Sequence, residues 1–149
     1  MENCIFCEIV EGKIPSVKIW EDKESIAILG IKPNTEGMTL VIPKKHYDSD
    51  VFEMSDKDYK KFLLSGKKVA KILEKGLKVK RVAMVLEGME INHAHIKLYP
   101  LHGLDEKFKK MVAKEQIYFN KYPCYITTLE GPQKSIEELK KVAEKIRWK

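Results

Sequence analysis

The run His93-Ala94-His95-Ile96-Lys97 places three side chains able to carry a positive charge at alternate positions. In a strand such residues project from one face, with neighbours roughly 6.6–7 Å apart, while Ala94, Ile96 and Leu98 turn toward a core. A ridge of this kind can seat a phosphate, and an imidazole on it can act as nucleophile or proton carrier. An exposed polar sheet face gives the same alternation. A second pattern, Cys4-x-x-Cys7, sets two thiols at zinc-hairpin spacing, and zinc then needs two more nitrogen or sulfur ligands. There is no second Cys-x-x-Cys, and the sequence offers four His residues. Taken alone, the pair reads equally well as free buried or redox thiols. Cys124 has no neighbour of its kind and reads as a core thiol, and His102 as a surface loop residue.

These residues need elements to hold them. Lys18–Glu21 and Ser25–Leu29 read as short strands around an Asp22-Lys23 turn, and Met38–Ile42 as a β-rich run ended by Pro43. From Ser55 the period becomes helical: Ser55 and Asp58 fit a capping box, Tyr59, Phe62, Leu63, Val69, Ala70 and Leu73 form an apolar stripe, and Gly76 reads as the stop. Val82–Leu86 and His93–Tyr99 read as further strands. The tail suggests a helix near 105–114, a strand around 124–129, and a last helix capped by Ser135 with Glu138 three residues on. Hairpins with helices on one side, without repeated crossovers, give an α+β class with a mainly antiparallel sheet.

Composition narrows the functional classes. The 149 residues suit one domain, and no apolar run approaches the roughly 20 residues of a membrane helix. The opening residues lack the basic start and apolar run of a secretory leader, so a cytoplasmic protein is expected. The net charge is +6, but 26 of the 28 basic residues are Lys and they are spread along the chain. Base-edge and bidentate phosphate reading favour the Arg fork, which argues against specific nucleic-acid recognition and leaves nonspecific binding as the weakest reading.

Three segments, Ile5-Phe6-Cys7-Glu8-Ile9-Val10-Glu11-Gly12-Lys13-Ile14-Pro15, Leu40-Val41-Ile42-Pro43-Lys44-Lys45-His46 and the His-x-His-x-Lys run ending at Pro100, stand in the order and spacing of the histidine-triad superfamily. The resemblance covers about residues 4–100. It implies an α+β meander of mainly antiparallel sheet with helices packed on it, residues 1–103 forming the core and 104–149 an extension packed on the same domain. It also implies a homodimer. The implied activity is that of a nucleotide-binding hydrolase or nucleotidyltransferase, which cleaves nucleoside phosphoramidates or dinucleoside polyphosphates through a covalent nucleotidyl-histidine.

Matched position by position, His93 is the first His of the triad, His95 the nucleophilic middle one, and Lys97 stands in the third place. Ile5, Phe6, Ile9, Ile28 and Leu29 match apolar positions that enclose a purine base. Gly30 replaces an Asp that binds ribose hydroxyls, and the loop before the triad is shortened to Glu87-Gly88-Met89-Glu90-Ile91-Asn92, with Glu90 turning a negative charge toward an anionic ligand. The resemblance further implies structural zinc on Cys4, Cys7, His46 and His93. The departures at Gly30, Glu90 and Lys97 favour an alternative: a zinc-stabilised nucleotide-binding or interaction protein that keeps the fold and has lost most catalysis.

Overall fold

Short β-branched runs bounded by turn residues form five strands in the computed structural model, which describes residues 4–146. They are β1 (Lys18–Glu21), β2 (Ser25–Leu29), β3 (Thr39–Pro43), β4 (Val82–Val85) and β5 (Ile96–Pro100), hydrogen-bonded in the order β1-β2-β3-β5-β4. Every pairing is antiparallel. The β1–β2 turn is closed by Asp22, whose carboxylate accepts from the backbone N–H groups of Glu24 and Ser25, both at 2.9 Å. The chain divides into two compact units, Met1–Phe108 and Lys109–Lys149, and the whole sheet belongs to the first.

Each face of the sheet carries its own apolar cluster. Ala27, Val41, Ile96 and Leu98 pack with Ala94, Val51 and the buried residues Phe62, Val69 and Leu73 of the helix α2 (Asp56–Leu77). On the opposite face Ile26, Ile28 and Ile42 close over Phe6 of the short helix α1 (Ile5–Val10), with Ile9, Val10, Leu40 and Ile91 around them. No periodicity in the sequence marks α1. Six residues are too few for a stable isolated helix, so burial of Phe6 rather than propensity holds this one.

The 22-residue helix α2 begins as expected: the Ser55 hydroxyl accepts from the Asp58 backbone N–H at 3.2 Å. It does not stop at Gly76. The helix runs to Leu77, and Lys78 takes the left-handed closing position with φ 54°. Gly66 faces the sheet at close range, and a Cβ there would stand 2.8 Å from both Ile96 Cδ1 and Met84 Cε.

Three further expectations are corrected. The strand read as His93–Tyr99 begins only at Ile96. Its partner β3 ends at Pro43, which has no N–H to continue the ladder, and Ala94 N–H turns instead to the Tyr47 carbonyl at 2.8 Å. No helix forms over 105–114: Glu106 pairs with Lys80 at 2.5 Å and Phe108 lies under the Arg81 guanidinium at 5.5 Å, so both side chains are drawn to β4. No strand forms at 124–129, where Cys124 has φ 69°, incompatible with extended backbone. Cys124 is also exposed rather than a core thiol.

In the second unit the last helix is as expected: α3 (Ile136–Ile146) starts with a reciprocal box in which Glu138 N–H donates to the Ser135 hydroxyl at 3.2 Å and Ser135 N–H to the Glu138 carboxylate at 2.8 Å. Among the described residues, no helix is long and apolar enough to cross a membrane.

The close approach at Gly66 yields a stability test. Gly66→Leu forces Ile96 and Met84 out of their places and is expected to lower the unfolding free energy by about 1–3 kcal/mol, read as a lower urea midpoint at unchanged slope. An unchanged midpoint would mean that α2 does not sit this close to the sheet.

Candidate functional site

Register across the sheet decides which expected site residues meet. Ile28, Leu40, Lys97 and Val85 are successive cross-strand partners on β2, β3, β5 and β4, and this row faces α1. The next row, Leu29, Thr39, Leu98 and Met84, faces α2. Leu29 is therefore set apart from Ile28, Phe6 and Ile9, because consecutive strand residues point to opposite faces. Ile5 is 43% exposed at the rim of α1. Ile26, Ile42 and Leu40, not singled out from the sequence, complete the apolar wall on the α1 side.

Gly30 follows β2 and donates its N–H to the Met38 carbonyl at 2.9 Å. A Cβ at this position would stand 2.5 Å from the Met38 sulfur. The Met38 thioether thus fills the space into which a longer residue at 30 would project.

His93 and His95 leave β5 toward the α1 side, and both are almost fully enclosed, with 0% and 4% of their surface exposed. Phe6 meets both rings edge-on, with centroids 5.9 Å from His93 and 5.1 Å from His95. Burial holds both imidazoles below their ordinary range, so each is neutral near pH 7. The His95 Nδ1–H donates to the His93 carbonyl at 2.7 Å, which leaves the lone pair on Nε2. His102 stands apart, its Nε2 donating to the Glu36 carbonyl at 2.9 Å, as suits a loop residue.

Lys97 is tied to a residue that went unnoticed as a site member. Its ammonium meets the Glu87 carboxylate at 3.0 Å, with the two side chains only 20% and 12% exposed. The signal was present in the hairpin register: Val85 pairs with Lys97, so Glu87, two residues on, returns to the same face beside His95 and diagonal to Lys97. Glu90, by contrast, is exposed.

Four further donors converge at the start of α1. Cys4 Sγ lies 3.3 Å from His93 Nδ1, Cys7 Sγ lies 3.3 Å from His46 Nδ1 and 3.5 Å from His93 Nδ1, and all four ligand atoms fall within 4.8 Å of one another. The i, i+3 spacing on α1 turns both thiols the same way. The His93 Nε2–H donates to the Pro43 carbonyl at 3.0 Å, which frees Nδ1 as a ligand, and His46 Nε2 faces the Asp48 carboxylate at 3.7 Å. Such outer partners orient metal-binding imidazoles. A tetrahedral ion with bonds of about 2.0–2.3 Å needs donors roughly 3.3–3.8 Å apart, so the set fits a metal ion after small adjustment. Burial, with the neighbouring Cys4 sulfur adding to it, pushes the Cys7 thiol up to about 11. A cation among these donors would reverse that shift.

The loop between β4 and β5 is anchored to the one that carries His46. Asn92 accepts from Ser49 N–H at 2.9 Å and donates to the Asp48 carboxylate at 3.1 Å. Gly88 has φ 67°, and a Cβ on it would meet Ser49 Cβ at 2.7 Å. A groove of about 590 Å³ elsewhere, between the β1–β2 hairpin and α2 and lined by Trp20, Lys61, Leu64, Lys68 and Ile72, contains no histidine or cysteine.

The chain is similar to known proteins over most of its length. Residues 11–103 match the HIT domain. An uncharacterised HIT-like protein of Methanocaldococcus jannaschii is 36% identical over 111 residues, 72% of this chain and 85% of that protein. The adenosine 5'-monophosphoramidase HNT1 of Saccharomyces cerevisiae is 36% identical over 109 residues, covering 70% of this chain and 65% of the yeast protein. Among solved structures, SMU.412c of Streptococcus mutans aligns over 98% of this chain and 84% of its own, with TM-score 0.70 and 31% identity. A zinc-bound histidine triad family protein of Mycobacterium smegmatis aligns over 70% of this chain and 78% of its own, with TM-score 0.61 and 30% identity.

The conformation at Gly88 is testable. Gly88→Ala combines an unfavourable φ with a clash against Ser49 and is expected to cost about 1–3 kcal/mol by denaturant unfolding. A neutral result would show that the loop is not held against Ser49.

Proposed function

Because the chain belongs to the HIT domain family, we propose that it is a nucleotide-binding hydrolase or nucleotidyltransferase acting at the phosphorus of a nucleoside phosphoramidate or dinucleoside polyphosphate, with His95 as nucleophile. The observation that carries this reading is the His95 ring itself: buried, neutral, and fixed by the 2.7 Å bond from Nδ1 to the His93 carbonyl so that Nε2 presents its lone pair. Attack of that lone pair forms a P–Nε2 bond as the bond from phosphorus to the leaving group breaks. An amine leaving group takes the bonding electrons and a proton from solvent. Water then attacks phosphorus, the P–Nε2 electrons return to the ring, and the water's proton goes to solvent. The His93 carbonyl is placed to stabilise the positive charge that the imidazole carries in between.

The purine base is assigned to the α1 side of the sheet, against Phe6, Ile9 and Ile28 with Ile5 at the rim, and the ribose to the backbone near Gly30. Leu29 lies on the other face and has no part in this assignment. Lys97 is placed to hold phosphate. The pairing of Lys97 with Glu87 favours a second reading, in which the same site binds a nucleotide but turns it over weakly.

The metal held by Cys4, Cys7, His46 and His93 is inferred to be zinc, since two thiolates and two imidazoles are donors of the softness zinc prefers. Four protein ligands leave no open position, so its contribution is structural: it ties α1 and the His46 loop to the residue two before the nucleophile. A homodimer and a cytoplasmic location complete the reading. β4 is an edge strand of the sheet among the described residues, and all three cysteines are free, as a reducing compartment allows.

Two measurements test it. Incubated with an adenosine phosphoramidate and a diadenosine polyphosphate, the protein is expected to turn over at least one, with His95→Ala slower by about three orders of magnitude or more. Equal background in both proteins would sink the enzymatic reading. Protein purified without added metal is expected to contain about one zinc per chain and to lose thermal stability on chelation, and Cys7→Ser to lower the zinc content. A metal-free protein of unchanged stability would remove the zinc site.

A further inference from the structure

The third position of the triad holds an ion pair rather than a lone cation, and its counter-ion comes from outside the triad. The Glu87 carboxylate lies 3.0 Å from the Lys97 ammonium. Both side chains are largely enclosed, so their interaction is less screened by solvent than that of an exposed pair. Glu87 does not swing freely, because Gly88, next in sequence, is packed against Ser49 and Asn92 ties the far end of the loop to Ser49 and Asp48. The other lysines near the end of β3 are engaged elsewhere: Lys44 pairs with Glu21 at 2.6 Å, and Lys45 sits 4.6 Å over the Tyr47 ring.

Charges around the His95 ring follow from these positions. Lys97 contributes one positive charge, while Glu87 and Glu90 each contribute a negative one and act on the same ring.

We propose that Glu87 is a specificity-determining residue, an internal counter-ion that matches the cleft to a phosphorus bearing a single negative charge with an uncharged or cationic leaving group, and excludes leaving groups that are themselves polyanions. This rests on the reading of His95 as the group that acts on phosphorus. An incoming phosphoryl oxygen competes with Glu87 for the Lys97 ammonium, and the carboxylate has the advantage of being already tethered in the same site. A phosphoramidate brings one anionic oxygen to that competition and releases an amine. A polyphosphate leaving group instead brings several further negative charges against the enclosed Glu87 carboxylate, where like charges are costly.

The test compares kcat/KM for an adenosine alkylphosphoramidate and for a diadenosine polyphosphate, in the wild-type protein and in Glu87→Gln. Glu87→Gln is expected to raise the ratio of polyphosphate to phosphoramidate turnover by about tenfold or more. Inhibition by AMP and ATP supplies a second readout: ATP is expected to gain affinity over AMP in the variant, and the gain to shrink at high ionic strength. A purely structural role for Glu87 would lower both turnovers together and leave both ratios unmoved. If Glu87→Gln fails to fold, the wild-type protein is titrated with salt, and a substrate ratio that rises toward the polyphosphate supports the same conclusion. Ratios within about twofold throughout overturn the inference and leave the assigned reaction standing. A wild-type protein that turns over neither substrate overturns both.

Discussion

His93 is the residue on which the rest of the site depends. Its imidazole has no exposed surface and spends its two nitrogens on different partners, Nε2–H on the Pro43 carbonyl and Nδ1 on the two thiols of the first helical turn. Its own carbonyl accepts the Nδ1–H of His95. One residue thus joins the end of β3, the start of α1 and the ring assigned the nucleophilic role. A buried polar ring with every hydrogen bond made gives a unique local structure, whereas the same ring with one partner missing would leave an unpaired group in an apolar surround.

The sheet separates stability from chemistry. On the α2 side, Val41, Ile96, Leu98, Phe62, Val69 and Leu73 make an apolar core, with Tyr47 and Tyr59 packed against it. On the α1 side, the apolar residues Phe6, Ile26, Ile28 and Ile42 stand next to His93, His95 and Lys97. The boundary is set by Pro43. Because proline ends β3, the chain before β5 leaves the ladder, and His93 and His95 enter an irregular segment where neighbouring backbone groups are free to bond side chains. A strand continued through residue 93 would have used the His93 and Pro43 carbonyls for the ladder instead.

Sequence made much of this legible where a pattern is local. β1 and β2 show clear strand runs with an Asp-closed turn, α2 has its serine cap and apolar stripe, and α3 has both halves of its box. The four residues that could hold a metal ion are readable only through a resemblance, since nothing in residues 4–7 alone says where 46 and 93 will be. What escaped was settled by tertiary contact. α1 exists because Phe6 is buried, the expected helix over 105–114 gives way to side-chain contacts with Lys80 and Arg81, and Leu29 is assigned to a face by pairing register rather than by its apolar character. Glu87 was passed over because its partner lies ten residues away across a loop, although the β4–β5 register brings the two together.

Lys97 and Glu87 are best understood as a single substitution in physical terms. A lysine in a half-enclosed site keeps its charge only if a counter-charge accompanies it, since an unpaired ammonium there would lose hydration without compensation. An imidazole in the same place could be neutral and would need no such partner. Once lysine occupies the position, a carboxylate within reach stabilises the fold and at the same time changes what the cleft attracts. The basic composition of the chain says nothing about this, because the charge that matters is local, in the pairing of Lys97 with Glu87.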